Sequence, residues 1–183
     1  MAKWINSDGL AVKFGQDEAD PVKGAEILAG GNGVHVVQFD IDYTDVLSAT
    51  ASVLGSVGTS QDGAYGVMVP KGARIKALEV NVITAFQSSG TIGSSTLVIG
   101  TKKWSDFSTE LDHDGFTTTS FVAGVLDGAG ERTYVVPGVT GAGDDYGTSL
   151  AEAGVICVAN SAHASHPYTA GKARCRLEYQ FLA

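Results

Sequence analysis

The run Arg74-Ile-Lys-Ala-Leu-Glu-Val-Asn-Val-Ile-Thr-Ala-Phe86 decides the fold class. Within it Leu78, Val80, Val82 and Thr84 alternate with Ala77, Glu79, Asn81 and Ile83. A period of two puts successive side chains on opposite faces, so this is a strand with one face on a core and one towards water. Just before it, residues 64–70 form a shorter apolar run that ends at Pro70, and Lys71-Gly72 makes the turn. Just after it, residues 87–95 are a glycine and serine loop, and Thr96-Leu-Val-Ile-Gly100 is a short core strand.

The same signals repeat outward in both directions. Residues 34–42 alternate, with Val37, Phe39 and Ile41 against Gln38, Asp40 and Asp42, and a weak strand or edge is expected at 51–57. Residues 101–130 are less regular: Asp112-His-Asp-Gly115 reads as a turn, and 116–126 as an irregular segment with about one turn of helix. Strands are expected at 131–136 and 154–159. The last, 172–181, puts Ala173, Cys175, Leu177, Tyr179 and Phe181 on one face and Lys172, Arg174, Arg176 and Glu178 on the other. Short half-buried strands between turn signals imply antiparallel sheets with one wet face each. The expected fold is all-β: an antiparallel β-sandwich, jelly-roll-like, over residues 34–183. Repeats, heptads and βαβ alternation are all missing from the pattern.

Bulk composition agrees. At 183 residues the chain fits one domain, with or without an arm. Charged residues are 17%, against about 25% in ordinary globular chains, so more of the surface is small and close contact with neighbours is favoured. The 24 glycines fall between apolar runs without a Gly-X-Y period, which excludes collagen and fits turns. The net charge of −8 speaks against nucleic acid as a partner. No apolar run approaches the length of a membrane span and no secretory leader opens the chain, so a soluble protein made in a cytoplasm is expected. Cys157 and Cys175 sit in strand-like runs, as buried free thiols would; a cross-strand disulfide is the alternative.

Residues 1–33 differ from the rest. Leu10-Ala-Val-Lys-Phe14 resembles a short strand, a polar breaker follows as far as Pro21, and Gly30-Gly-Asn-Gly33 is a flexible hinge. This is read as an N-terminal arm or extended segment. Trp4, Leu10 and Phe14 are its apolar anchors, docking on a neighbour or back on their own domain.

The chain carries none of the usual nucleophile, zinc or nucleotide motifs and reads as a non-enzyme without cofactor or metal. Asp112-x-Asp114-Gly115 echoes the start of a calcium loop, but the twelfth position, where a bidentate glutamate belongs, is Ala123. Asp144-Asp145, in a loop with Gly141 and Gly143, carries the same ambiguity between turn and ion site. His163-x-x-His166 lacks nearby partner ligands and reads as a loop pair. The row Lys172, Arg174, Arg176 is either a solvated or edge-protecting strand face or a contact for an acidic partner. Trp104, Tyr146 and Tyr168, with Asp144 and Asp145, could form a glycan site.

Several stretches resemble tailed-bacteriophage virion proteins, most nearly head decoration (cement) proteins. They are Met1-Ala-Lys-Trp-Ile-Asn-Ser-Asp-Gly-Leu-Ala-Val-Lys-Phe-Gly15, residues 69–86, residues 95–100, the 112–116 turn and residues 169–179. The resemblance implies a jelly-roll-like sandwich that trimerises on the outer capsid surface. It would sit at three-fold and quasi-three-fold positions and clamp adjacent major capsid protein subunits, with the arm reaching a neighbour. Trp4, Leu10, Phe14, Lys172, Arg174 and Arg176 are the candidate interface. The alternatives are a phage tail or fibre module that binds a host glycan, and a small hydrolase or isomerase.

Overall fold

A computed structural model describes residues 2–5, 11–14, 26–29, 34–46, 48–54, 67–106, 108–118, 126–137, 139 and 141–181. Its strands in chain order are β1 (Ala2–Ile5), β2 (Ala11–Phe14), β3 (Glu26–Ala29), β4 (Val34–Asp42), β5 (Ser52–Val53), β6 (Met68–Val69) and β7 (Ala73–Ser88). They continue with β8 (Val98–Lys103), β9 (Glu110–Thr117), β10 (Arg132–Val135), β11 (Gly154–Ala159) and β12 (Tyr168–Phe181). The helical elements described are two 3₁₀ turns, Tyr43–Val46 and Ile92–Ser94.

Two antiparallel sheets pack face to face as a β-sandwich. One runs β10-β7-β12-β4-β3; the other runs β5-β11-β8-β9, with β6 also on β11. The strand at 34–42 has the bounds its alternation predicts. It stops at Asp42, whose Oδ1 accepts from the N–H and hydroxyl of Thr44, while Asp45 Oδ2 accepts the Asp42 N–H at 2.6 Å. Such local carboxylate bonds compete with the ladder and turn the chain. β7 starts from the expected turn: the Ala73 N–H donates to the Pro70 carbonyl at 3.1 Å, and Gly72 has φ +81°, open to glycine at little cost.

β7 and β12 form the spine of the first sheet. Ile75, Leu78, Val80, Val82 and Phe86 of β7 enter the core with Ala173, Cys175, Leu177 and Tyr179 of β12 and Val37, Phe39 and Ile41 of β4. Leu97, Ile99, Phe116, Ile156 and Val158 meet them from the second sheet. Phe39, Phe86 and Phe116 are fully buried, and truncating any one to alanine should cost about 3–5 kcal/mol.

The pairing of β7 with β12 shifts register at four places, two of them beside the core residues Ala173 and Tyr179. Glu178 pairs with Ala77 but Tyr179 with Ile75, and Ala173 pairs with Val82 but Lys172 with Thr84. Each step inserts one extra residue in β7, Lys76 and then Ile83. The second insertion turns Thr84 out to solvent, against the expected core position, and leaves Ile83 44% exposed. Phe181, expected on the core face, is 46% exposed; it stands beside His35 and Tyr179, with ring centroids 5.4 and 5.8 Å away.

The second sheet corrects the one-wet-face expectation. All six residues of β11 are buried. Ile156 and Val158 face the main core, whereas Cys157 and Ala159 join Val98 and Ala51 in a second apolar cluster. An unbroken apolar run such as 154–159 is the pattern of a strand covered on both sides. Cys157 and Cys175 are free and buried, one in each cluster. Burial pushes the Cys157 thiol up to about 12, so it is not a reactive thiolate near neutral pH.

Residues 112–115, expected as a turn, lie inside β9. The strand stays paired with β8 but slips in register, from Ile99–Thr117 to Thr101–Asp112. The expected helical turn at 116–126 falls partly outside the described residues, and its start, Phe116–Thr117, is strand.

Candidate functional site

The predicted interface residues separate into two places. Trp4 and Phe14 belong to a two-stranded sheet of their own, β1 with β2, in which Trp4 pairs with Val12 and Phe14 with Ala2. Leu10 and the hinge at 30–33 lie outside the described residues. The same N-terminal region also gives the first sheet its edge strand: β3 pairs with β4 from Glu26–Gln38 to Ala29–His35.

Lys172, Arg174 and Arg176 stand on the outer face of β12. That strand is the central one of the first sheet, so an edge-protecting role is excluded. Instead the basic row is answered by acids of its own sheet. Asp40 on β4 meets Arg174 Nε at 2.8 Å and Lys172 Nζ at 3.5 Å. Glu79 on β7 meets Arg132 Nε of β10 at 3.0 Å and an Arg176 nitrogen at 4.0 Å, and Arg176 also meets Glu178 at 3.5 Å. The hydrogen bond from Arg174 holds the Asp40 carboxyl below the usual carboxylate range. The lattice follows from register: Arg174 lies opposite Asp40, and Arg176 opposite Glu79. Sequence reading saw the cations and Glu178 on one face; Asp40 and Glu79, the other acids that match them, come from strands roughly a hundred or more positions away in the chain.

The two acidic loops flagged separately in the sequence meet in space. The loop at 141–147 crosses β9: Thr118 N–H donates to the Gly141 carbonyl at 2.9 Å, Gly143 N–H to Phe116 at 3.1 Å and Asp145 N–H to Gly115 at 3.1 Å. A Cβ on Gly143 would collide with the Gly115 backbone, and a Cβ on Gly115 with the Asp145 carboxyl. This close crossing brings Asp112, Asp114, Asp144 and Asp145 together. Burial first, then the neighbouring acids, pushes Asp112 up to about 7 and Asp145 up to about 6. Asp145 Oδ2 is buried without a hydrogen-bond partner. Among the described residues, no three His, Cys, Asp or Glu side chains are arranged to hold a metal ion.

The histidine loop is a structural strut. Asn160 is fully buried; its Oδ1 accepts from Thr96 N–H at 3.2 Å and Ala162 N–H at 3.1 Å, and its Nδ2 donates to the His166 carbonyl at 2.9 Å. His166 Nδ1 accepts the Thr91 N–H at 3.1 Å, which ties the 161–167 loop to the 89–96 loop. His163 takes no part in these bonds, so the two histidines do not act as a pair.

The aromatic set expected for a glycan is taken apart. Tyr168 is 3% exposed and Tyr146 is 9% exposed, both within the main core, and Trp104 packs on Val155. The two tyrosine rings are closed to a sugar, while Trp104 is half-buried. Comparison with family models, with curated proteins and with solved structures finds no match for this chain.

Proposed function

We propose that this protein is a non-enzymatic virion component that decorates and stabilises a tailed-phage capsid. In this reading it is a homotrimer at three-fold and quasi-three-fold positions on the outer surface, and it clamps adjacent major capsid protein subunits. Its sandwich would be of the jelly-roll kind; the chain changes sheet at most connections, between β4 and β5, β6 and β7, β7 and β8, and again at each step from β9 to β12. The resemblance at residues 1–15, 69–86, 95–100, 112–116 and 169–179 supplies the capsid address.

One observation carries the structural part of the reading. β1 and β2 pair with each other and, among the described strands, with neither sheet of the sandwich. A lone two-stranded hairpin is marginal in water and needs a surface to cover it. A neighbouring copy or a capsid subunit supplies such a surface, repeated by symmetry, and trimeric linkage turns weak contacts into avidity. The charge lattice on β12 fits a flat, neutralised face beside such contacts, not a site for a polyanion.

The test is binding to expanded empty heads. The intact protein should bind them and raise their melting temperature, and light scattering should give a trimer. A variant lacking residues 1–14 should lose most of its affinity for heads. Unchanged affinity and unchanged trimer would remove the arm from the proposal. Absence of head binding together with retention on a host glycan array would replace the proposal with the tail-fibre reading.

A further inference from the structure

We propose that the crossing of β9 with the 141–147 loop is a proton-held clasp, closed while the Asp112 and Asp145 carboxyls beside Gly115 keep a proton and loosened when both ionise. This inference does not depend on the capsid reading.

The backbone first fixes the acids in place. Gly115 and Gly143 touch where no side chain would fit, and three N–H donors, of Thr118, Gly143 and Asp145, cross the junction. The two backbones therefore cannot separate without breaking those bonds. The side chains then require protons. A Cβ on Gly115 would lie 2.6 Å from the Asp145 carboxyl carbon and 3.1 Å from that of Asp112, so these two carboxyls crowd the same spot. Two ionised carboxylates are acceptors only, so a bond between them needs a proton on one. Asp145 Oδ2, shut from water and unpartnered, has nothing to offset a charge.

Surrounding charges do not relieve the crowding. On β9, His113 lies 3.5 Å from Glu110 and 3.9 Å from Asp114. Lys102 of β8 is buried and pairs in register with Glu110. The Arg74 guanidinium of β7 packs by Gly147, at the far end of the loop. The groups that act most strongly on Asp112 are Asp144, Asp145 and Asp114, and on Asp145 they are Asp144 and Asp114. Their raised protonation ranges, about 7 and about 6, put the change near neutral pH.

Opening would be local. The far end of the loop is tied to β7 by Gly147 N–H on the Ile75 carbonyl at 3.0 Å and by Leu150 N–H on the Ala73 carbonyl at 2.9 Å. Tyr146 stays in the core. The loop would lift from β9 while the sandwich holds.

The experiment is amide hydrogen exchange of Thr118, Gly143 and Asp145 between about pH 5 and about pH 8, corrected for intrinsic rate, in the wild type and in the double variant Asp112→Asn, Asp145→Asn. In the wild type, protection at these amides should fall by about tenfold or more as pH rises, while β12 amides change little. In the double variant, whose amides are neutral at every pH, protection should vary by no more than about twofold. A pH-independent wild type, or a variant with the same loss, overturns the proposal. So does recovery of protection by added calcium at about pH 8 in the wild type but not in the variant, which would assign the junction to a cation. Should the double variant fail to fold, carboxyl ¹³C titration of the wild type decides. Asp112 and Asp145 both titrating in the ordinary range near 4 would overturn the clasp.

Discussion

Two polar regions of this sandwich handle charge in opposite ways. On the outer face of the first sheet, Lys172, Arg174, Arg176 and Arg132 meet Asp40, Glu79 and Glu178, and each charge has an opposite within reach. At the β9 crossing, four carboxyls meet one another. The first arrangement is tolerant because water and several partners share each charge. The second is demanding, because backbone contact holds like groups together and partial burial withholds solvent from Asp112 and Asp145. A surface that a protein merely wears can be paired and forgiving; a junction that crowds acids on rigid backbone is conditional on its surroundings.

The largest expected effect breaks the demanding side by steric means. Gly143→Val should destabilise the fold by about 2–4 kcal/mol, because its side chain meets the Gly115 backbone; thermal melting checks this. Next is the pH profile of stability. Asp112 and Asp145 have folded pKa values raised above the unfolded ones, so the folded state binds more protons and stability falls as pH rises from near 4 through about 6 to 7. Asp40 has the opposite shift, so its contribution is present above the unfolded value and is lost as pH falls through its depressed folded value. Denaturant melts should therefore show a maximum in mild acid, and Asp112→Asn should flatten the alkaline limb alone. A third, smaller effect tests the paired face. Glu79→Ala strands Arg132, while Arg176 keeps Glu178, and should cost about 1 kcal/mol, less in high salt. The smallest is Lys172→Ala, within about 0.5 kcal/mol, because Arg174 keeps its bond to Asp40 at 2.8 Å. A cost for Lys172→Ala equal to that of Glu79→Ala would show that the lattice is not redundant.

Much of the sandwich was legible in the sequence because its evidence is local. Alternation over 34–42 and 74–82, the breaks at Pro70 and Gly72, and the apolar run 154–159 each declare a strand without reference to the rest of the chain. The departures arose where a partner strand decides. Thr84 left the core because β7 carries an extra residue against β12, and residues 112–115 stayed in a strand because Asp112 and Thr117 on either side of them pair with β8 across a slipped register. The acid junction shows the same limit. Asp112-x-Asp114-Gly115 and Gly143-Asp144-Asp145 each looked like a solvated turn, and only the crossing makes them one group. A paired signal was present in retrospect: both acid pairs adjoin a glycine whose missing side chain allows the other backbone to approach. The tyrosines failed differently, since a phenol ring serves a core as well as a sugar, and Tyr146 and Tyr168 were spent inside.

The spine has a consequence for how the chain reaches this state. Leu78 pairs with Leu177, so two neighbouring strands of the first sheet are joined across a span of roughly a hundred residues that includes β8, β9 and β11 of the second sheet. Closing such a loop costs entropy before any contact returns it, and folding rates fall as contacting residues grow distant along the chain. β12 follows every other described strand in the chain, so on a ribosome the first sheet lacks its centre until all of those strands have been made. Until then β7 and β4 each present an open edge, and the interval between synthesis and closure is the period in which this chain is most exposed to aggregation.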